Sequence, residues 1–246
     1  MRPVGRANAL AAELLRRHAA REAFTSIFPE GEAQDMALAY AVQDAVVAGL
    51  GGAAGGYKVG LTTQRMQRMC GVDEPIAGVV LARRLMASPA QVRVADHVHP
   101  GLESELAVRI GPDGEGIDQV CAAFELVEDN GADYAKLSAA LIVADNSWNV
   151  GLVLGPPVPA PATLKGLRGV LTRNGEPAGD GVSDEVLGDP MTAVRWLGEH
   201  LRARGGGLKP GDWVTTGSIV PTRFVTPGET WVWTLGDLPP AELRFV

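Results

Sequence analysis

The chain has 246 residues, of which 46% are hydrophobic and 21% charged, and it carries a formal net charge of −7. That length suits one large domain, or a small one beside a larger, and the composition is ordinary for a globular protein. An acidic balance with no basic run excludes a phosphate-backbone binder and so a nucleic-acid partner, and it admits a small anionic substrate only where a local cation or metal holds it.

The N-terminal stretch "MRPVGRANALAAELLRR" is basic, but charges break every apolar run. Leu10, Leu14, Leu15 and His18 follow helical spacing, which predicts an amphipathic helix and not a secretion signal. No run approaches the roughly 18 apolar residues needed to cross a membrane. A cytoplasmic, soluble protein without a membrane partner is expected. "DMALAYAVQDAVVAGL" predicts a second, almost wholly apolar helix from Asp35, ended by Gly51, Gly52, Gly55 and Gly56. A soft boundary near Gly56 divides a helical part (1–55) from a β-rich body (56–246).

"GYKVGL" reads as a short strand with Lys58 in its middle, and "TTQRMQRMCGV" as a helix capped by Thr62 or Thr63. Strands are expected at Val92–Val94, Leu106–Ile110, Ala122–Val127 and Ala140–Val143. Asn174-Gly175 is a strong hairpin signal. Asp189 as N-cap, Pro190 at the first helical position and the stripe Val194, Leu197, Leu201 predict an inserted helix over 189–204, stopped by Gly205. "WVWTLGDLPPAELRFV" predicts two closing strands. The fold class is therefore α+β.

Two cysteines, Cys70 and Cys121, with no CxxC exclude a disulfide framework and a Cys/His zinc site. His97 and His99 form an H-x-H pair that lacks a third histidine at a plausible spacing, which favours a loop role over a metal one. The chemistry lies elsewhere. In "GLESELAVRI" Glu103 and Glu105 stand one residue apart, and on a strand a period of two puts both on one face. An isolated E-x-E is most often solvated. Glu125, however, lies between Phe124 and Leu126 in a run that reads as buried, where an unpaired charge is too costly to keep. Three carboxylates without thiolate or imidazole form a hard, all-oxygen donor set suited to Mg²⁺, Mn²⁺ or Ca²⁺.

Lys58, flanked by Tyr57, Val59 and glycines, is either a snorkelling lysine paired with an acid or a cation beside a metal-bound anionic substrate. "GDWVTTGSIV", with Thr215, Thr216, Gly217 and Ser218, is either a polar turn or a carboxylate cradle. "ADNSWN" (Ala144 to Asn149) is equally open.

In order along the chain, "AYAVQDAVV", "GYKVGLTTQRMQRMCGVDEPIAG", "ESELAVRIG", "FELVEDN", "VADNS", "VLTRNGEPAGDG", "VLGDPMTAVRWLGEHL" and "LKPGDWVTTGS" resemble the hydratase/decarboxylase branch of the fumarylacetoacetate hydrolase superfamily (2-keto-4-pentenoate hydratase-like). The resemblance implies a mixed β-barrel or roll with an N-terminal helical part, a catalytic role for the body and a homo-oligomer. It also implies Mg²⁺ (or Mn²⁺), and a 2-oxo or 2-hydroxy-dienoic acid from aromatic-ring degradation as substrate. It implies Glu103, Glu105 and Glu125 as metal ligands, Lys58 as the catalytic lysine, and Ser147, Thr216, Gly217 and Ser218 as substrate-binding residues.

Three departures from the pattern stand out. Ile76 follows Pro75 where the hydratases carry an acid paired with the lysine, which shifts weight to decarboxylation. The segment between Glu105 and Glu125 is about ten residues short. Asp129-Asn130 replaces a serine-arginine pair, which points away from a substrate with a second carboxylate. The leading expectation is hydration of a 2-hydroxypenta-2,4-dienoate-type substrate to a 4-hydroxy-2-oxo acid, with decarboxylation of a 2-oxo-enedioate (4-oxalocrotonate type) as the alternative. Hydrolysis of an acylpyruvate lacks a well-placed histidine. A non-catalytic 2-oxo-acid-binding relative, or a complex with a neighbouring pathway enzyme, belongs to a different class of function and is kept beside these.

Overall fold

The computed structural model describes residues 3–29 and 35–246. Met1 and Arg2, which open the basic N-terminal segment, lie outside them. Helix α1 (Pro3–Ala20) packs on α2 (Met36–Leu50), whose N-cap is Asp35, accepting from the Leu38 N–H, and whose C-cap is Gly51. Next come β1 (Ala54–Gly60), α3 (Gln64–Cys70, capped by Thr63), β2 (Ile76–Leu81), β3 (Leu85–Ala87) and β4 (Ala90–Val92). The long strands β5 (Pro100–Ile110) and β6 (Ile117–Glu128) follow, then α4 (Ala139–Ala144), β7 (Asn149–Leu154) and β8 (Val158–Pro159). The remainder is β9 (Arg168–Arg173), β10 (Glu176–Val182), α5 (Pro190–Ala203), β11 (Trp213–Thr215), β12 (Val220–Phe224), β13 (Thr230–Leu235) and β14 (Ala241–Phe245). No helix among the described residues is long and apolar enough to cross a membrane.

Among the described residues the strands form two mixed sheets. One runs β2-β1-β11-β5-β6-β7-β3, with β12 beside β5 and β8 beside β6; the other runs β10-β9-β13-β14-β4. The roll expected from the sequence is thus built of two open sheets, without barrel closure. The second sheet contributes Trp231, Trp233, Leu171, Leu243 and Phe245 to the core, and the Trp233 indole donates to the Glu105 carbonyl at 2.9 Å. That bond fastens the second sheet to the strand carrying two of the glutamates.

One expected strand is a helix. Ala140–Val143 lies in α4, where Ser138 caps the first turn by accepting from the Leu141 N–H. Every residue of α4 is buried. A short run buried on all sides shows no period, so an apolar tetrapeptide cannot be told as strand or helix without its cap. Gln43 of α2, itself buried, donates to the Ala77 and Val143 carbonyls at 2.8 and 3.0 Å, tying α2 to β2 and α4. The hairpin at Asn174-Gly175 forms between β9 and β10 with both residues at positive φ, as a tight right-twisting turn requires.

Candidate metal centre

Sheet register brings the acids together. β5 and β6 are antiparallel with Glu103 directly opposite Glu125, and Glu105 lies two residues further on the same face. β11 separates β5 from β1, with Lys58 opposite Thr215 and Thr215 opposite Ala107. Lys58, Thr215, Ala107, Glu105, Glu103 and Glu125 therefore project from one face of the sheet. Thr215, Ala107 and Ala123 (the partner of Glu105) are small, which leaves room for the longer side chains.

The result is a group of carboxylates whose oxygens lie within 4.8 Å of one another, and it is the grouping with metal-holding potential found among the described residues. Glu105 and Glu125 are fully buried and Glu103 is partly so. Each is oriented by one donor from another element. The Gly217 N–H donates to Glu105 Oε2 at 2.7 Å, Asn149 Nδ2 to Glu125 Oε1 at 2.9 Å, and Thr222 Oγ1 to Glu103 Oε1 at 2.6 Å. Glu105 Oε1 and Glu125 Oε2 are buried with no hydrogen-bond donor. Lys58 Nζ stands 3.4 Å from Glu125 Oε2.

The electrostatics show the cost of this cluster. Burial, then the charges of Glu125 and Glu103, push the Glu105 carboxyl well above its usual range. Burial also lifts Glu125 to about 7, against the pull of Lys58. Burial on its own would lower the Lys58 ammonium, but the charges of Glu125, Glu103 and Glu105 outweigh it and the net direction is up. One lysine cannot compensate three carboxylates, and a hard divalent cation fits the set: all donors are oxygen, Glu105 Oε1 and Glu125 Oε2 are buried without a hydrogen-bond donor, and only Glu125 Oε2 has Lys58 as a charge partner.

The cluster opens into a cavity of about 550 Å³, a volume suited to a small organic ligand. Lys58, Glu103, Ser147 and Ser218 line it with the apolar Met66, Ile76 and Leu137. Ser147 sits in a segment where Asn146, Ser147 and Trp148 all have positive φ, rare conformations for such residues. Its hydroxyl donates to the Ala77 carbonyl at 2.9 Å, while Asn146 bonds both backbone groups of Val79. A Cβ on Gly78 would come within 3.1 Å of the Ser147 side chain and 3.0 Å of Lys58 Cγ, so the glycine permits this close approach.

The C-terminal loop divides its tasks. The Thr216 hydroxyl donates to the Leu106 carbonyl and is buried outside the cavity lining. Gly217 serves Glu105 through its backbone, and the Ser218 hydroxyl donates to the Val220 carbonyl at the cavity wall. Nothing local in the sequence marks Thr222, and Asn149 is one member of an ambiguous polar loop there, because their importance comes from glutamates more than twenty residues away. His97 and His99 stand against Glu128 and Asp129 at 2.9 and 2.6 Å, away from the glutamate cluster. Cys70 and Cys121 are free and buried.

Comparison with known proteins identifies the family. A 2-keto-4-pentenoate hydratase from Paraburkholderia phymatum is 30% identical over 219 residues, covering 82% of either chain. A 4-oxalocrotonate decarboxylase from Pseudomonas putida is 27% identical over 204 residues, covering 78% of this chain and 77% of the relative. The structure of 4-oxalocrotonate decarboxylase from Pseudomonas putida G7, complexed with magnesium and adipate, superposes with a TM-score of 0.89 at 25% identity, covering 98% of each chain. The family model described as fumarylacetoacetate (FAA) hydrolase C-terminal matches residues 57–246, which include every member of the glutamate cluster, Lys58 and both wall segments. The chain belongs to that family.

Proposed function

We propose that the protein is a divalent-metal-dependent lyase that hydrates a 2-hydroxypenta-2,4-dienoate-type substrate to a 4-hydroxy-2-oxo acid. The observation that carries this reading is the glutamate trio, two of its members fully buried, beside a buried lysine at the floor of an apolar-walled cavity. Relatives named as hydratases support the same reading.

Glu103, Glu105 and Glu125 would hold Mg²⁺ (or Mn²⁺). Bound there, the ion supplies Lewis-acid polarisation of a 2-oxo or enol oxygen and the adjacent carboxylate. The Gly217 N–H, Asn149 and Thr222 keep the three carboxylates pointed inward. Lys58, held as a cation by its acidic neighbours, hydrogen-bonds the substrate and moves a proton at Nζ. Ser147 and Ser218 contribute polar edges to the wall, and Met66, Ile76 and Leu137 exclude bulk water from the carbon chain. The metal-holding assembly is expected to act as a homo-oligomer.

Ile76 favours a second reading, decarboxylation of a 2-oxo-enedioate. It is buried and lies with Lys58 Nζ against Gly60, so the lysine has no acid at that position. A paired assay with and without Mg²⁺ decides between the two. Loss of the conjugated chromophore from 2-hydroxypenta-2,4-dienoate without CO₂ establishes the hydratase. CO₂ from 2-oxohex-3-enedioate establishes the decarboxylase. Silence on both substrates overturns the lyase reading.

A further inference from the structure

A second cavity, of about 340 Å³, lies behind the metal centre, separated from the first by the segment that holds Asn146, Trp148 and Asn149. Its lining mixes four basic groups (His18, Arg21, Arg84, His97) with three acids (Asp96, Glu128, Asp145). The pairing among them is uneven. His18 Nε2 is 2.8 Å from Asp145 Oδ1, and His97 Nδ1 is 2.9 Å from Glu128 Oε2, which also accepts from the Val98 N–H. Asp96 is 3.9 Å from Arg93. Each acid of the cavity thus has a side-chain partner other than Arg21 and Arg84.

The arginines are not answered in the same way. Arg84 donates from Nη1 to the Asn149 carbonyl at 3.2 Å, and Arg21 donates from Nη2 to the Ala95 carbonyl. Among the described residues neither guanidinium meets a carboxylate. Arg84 is half-buried, and burial, then the charge of Arg83, lowers its pKa, the direction expected of a cation short of counter-charge. A guanidinium offers five donors in a planar fork matched to carboxylate and phosphate oxygens, and here most of those donors are unspent. Trp148, whose indole N–H is buried without an acceptor, lines this cavity as well as the first.

We propose that this cavity is a binding site for a small oxyanion, a carboxylate or a phosphate group, gripped by Arg84 and Arg21. The site is separate from the substrate cavity yet adjoins the metal centre, since the residue whose carbonyl Arg84 touches, Asn149, also orients Glu125. An oxyanion supplies the counter-charge the two arginines lack, with bidentate geometry available at each fork.

Calorimetric titration of the Mg²⁺-containing protein with inorganic phosphate, and separately with acetate, at constant ionic strength tests this without reference to turnover. A protein inactive on every dienoate therefore leaves the test intact. The expected result is one saturable site for at least one of the two anions. Its affinity falls at least tenfold in Arg84→Gln and in Arg21→Gln and is retained in Glu105→Gln. The tighter-bound anion identifies the ligand class. Should Arg84→Gln fail to fold, as read by thermal unfolding, the exposed Arg21 gives the same readout. No saturable heat from either anion overturns the proposal. Binding that survives the arginine variants, or that vanishes in Glu105→Gln and so belongs to the metal centre, does the same.

Discussion

Replacing Glu105 by glutamine sets two effects of opposite sign against each other. In the metal-free protein Glu105 is fully buried and faces Glu125 and Glu103, and its carboxyl is pushed far up, first by burial. The amide has nearly the same shape and keeps an oxygen for the Gly217 N–H that now donates at 2.7 Å. Removing the charge relieves desolvation and repulsion. In EDTA the variant is expected to be more stable than the wild type by about 1–3 kcal/mol. For a chain of this length each kcal/mol corresponds to roughly 2–4 °C in Tm. With Mg²⁺ the order reverses. A ligand at a hundred times its Kd stabilises the native state by about 2.7 kcal/mol, and a site with one of three carboxylates removed loses most of that gain. Thermal unfolding of both proteins in EDTA and through a Mg²⁺ titration reads both signs. A variant that melts below the wild type in EDTA, or that gains as much from Mg²⁺ as the wild type does, refutes the reasoning.

Lys58→Met is expected to lower turnover by about 10²–10⁴-fold while keeping the Mg²⁺-induced rise in Tm; loss of that rise would place the lysine's role at the metal and not at the substrate. Stability of the metal-free protein is expected to fall as pH rises. Glu125 titrates at about 7 in the folded state against an ordinary value of 4.5, so the native state holds the extra proton between those values. The loss accumulates to about 3 kcal/mol for that group by pH 7, and Glu105, raised in the same direction chiefly by burial, adds to it. Denaturant unfolding in EDTA at pH 5, 6, 7 and 8 checks the sign, and a rise across this range contradicts it. Gly217→Ala combines a φ of +126° with a Cβ driven into the Thr62 side chain. A destabilisation of about 1–3 kcal/mol is expected, and an unchanged denaturation midpoint counts against the strained geometry.

Much of the local structure was legible in the sequence because its causes are local. Asp35, Thr63 and Asp189 cap α2, α3 and α5 by bonding backbone N–H groups two or three residues away, and glycines at positive φ end those helices or lie just beyond them. Asn174-Gly175 sets its own hairpin. The two-residue period puts Glu103 and Glu105 on one face, and the apolar surroundings of Glu125 mark it as a buried charge that needs a counter-ion. Those features, with the order of motifs along the chain, also carried the family.

The tertiary structure decided what depends on distant partners. Antiparallel register, not spacing, sets Glu103 against Glu125, and β11 carries Lys58 onto the same face. Asn149, Thr222 and the Gly217 N–H become important because the fold delivers them to carboxylate oxygens, which no nearby residue announces. Ala140–Val143 turned out helical, since burial on every side erases the period that distinguishes helix from strand. Arg84 and Arg21, 63 positions apart, share a cavity only after the end of α1 and the β2–β3 connection meet the segment that holds Asn146, Trp148 and Asn149. Short-range sterics and capping act within a few residues and are written in the chain, whereas the meeting of charges across a sheet is a property of the folded register.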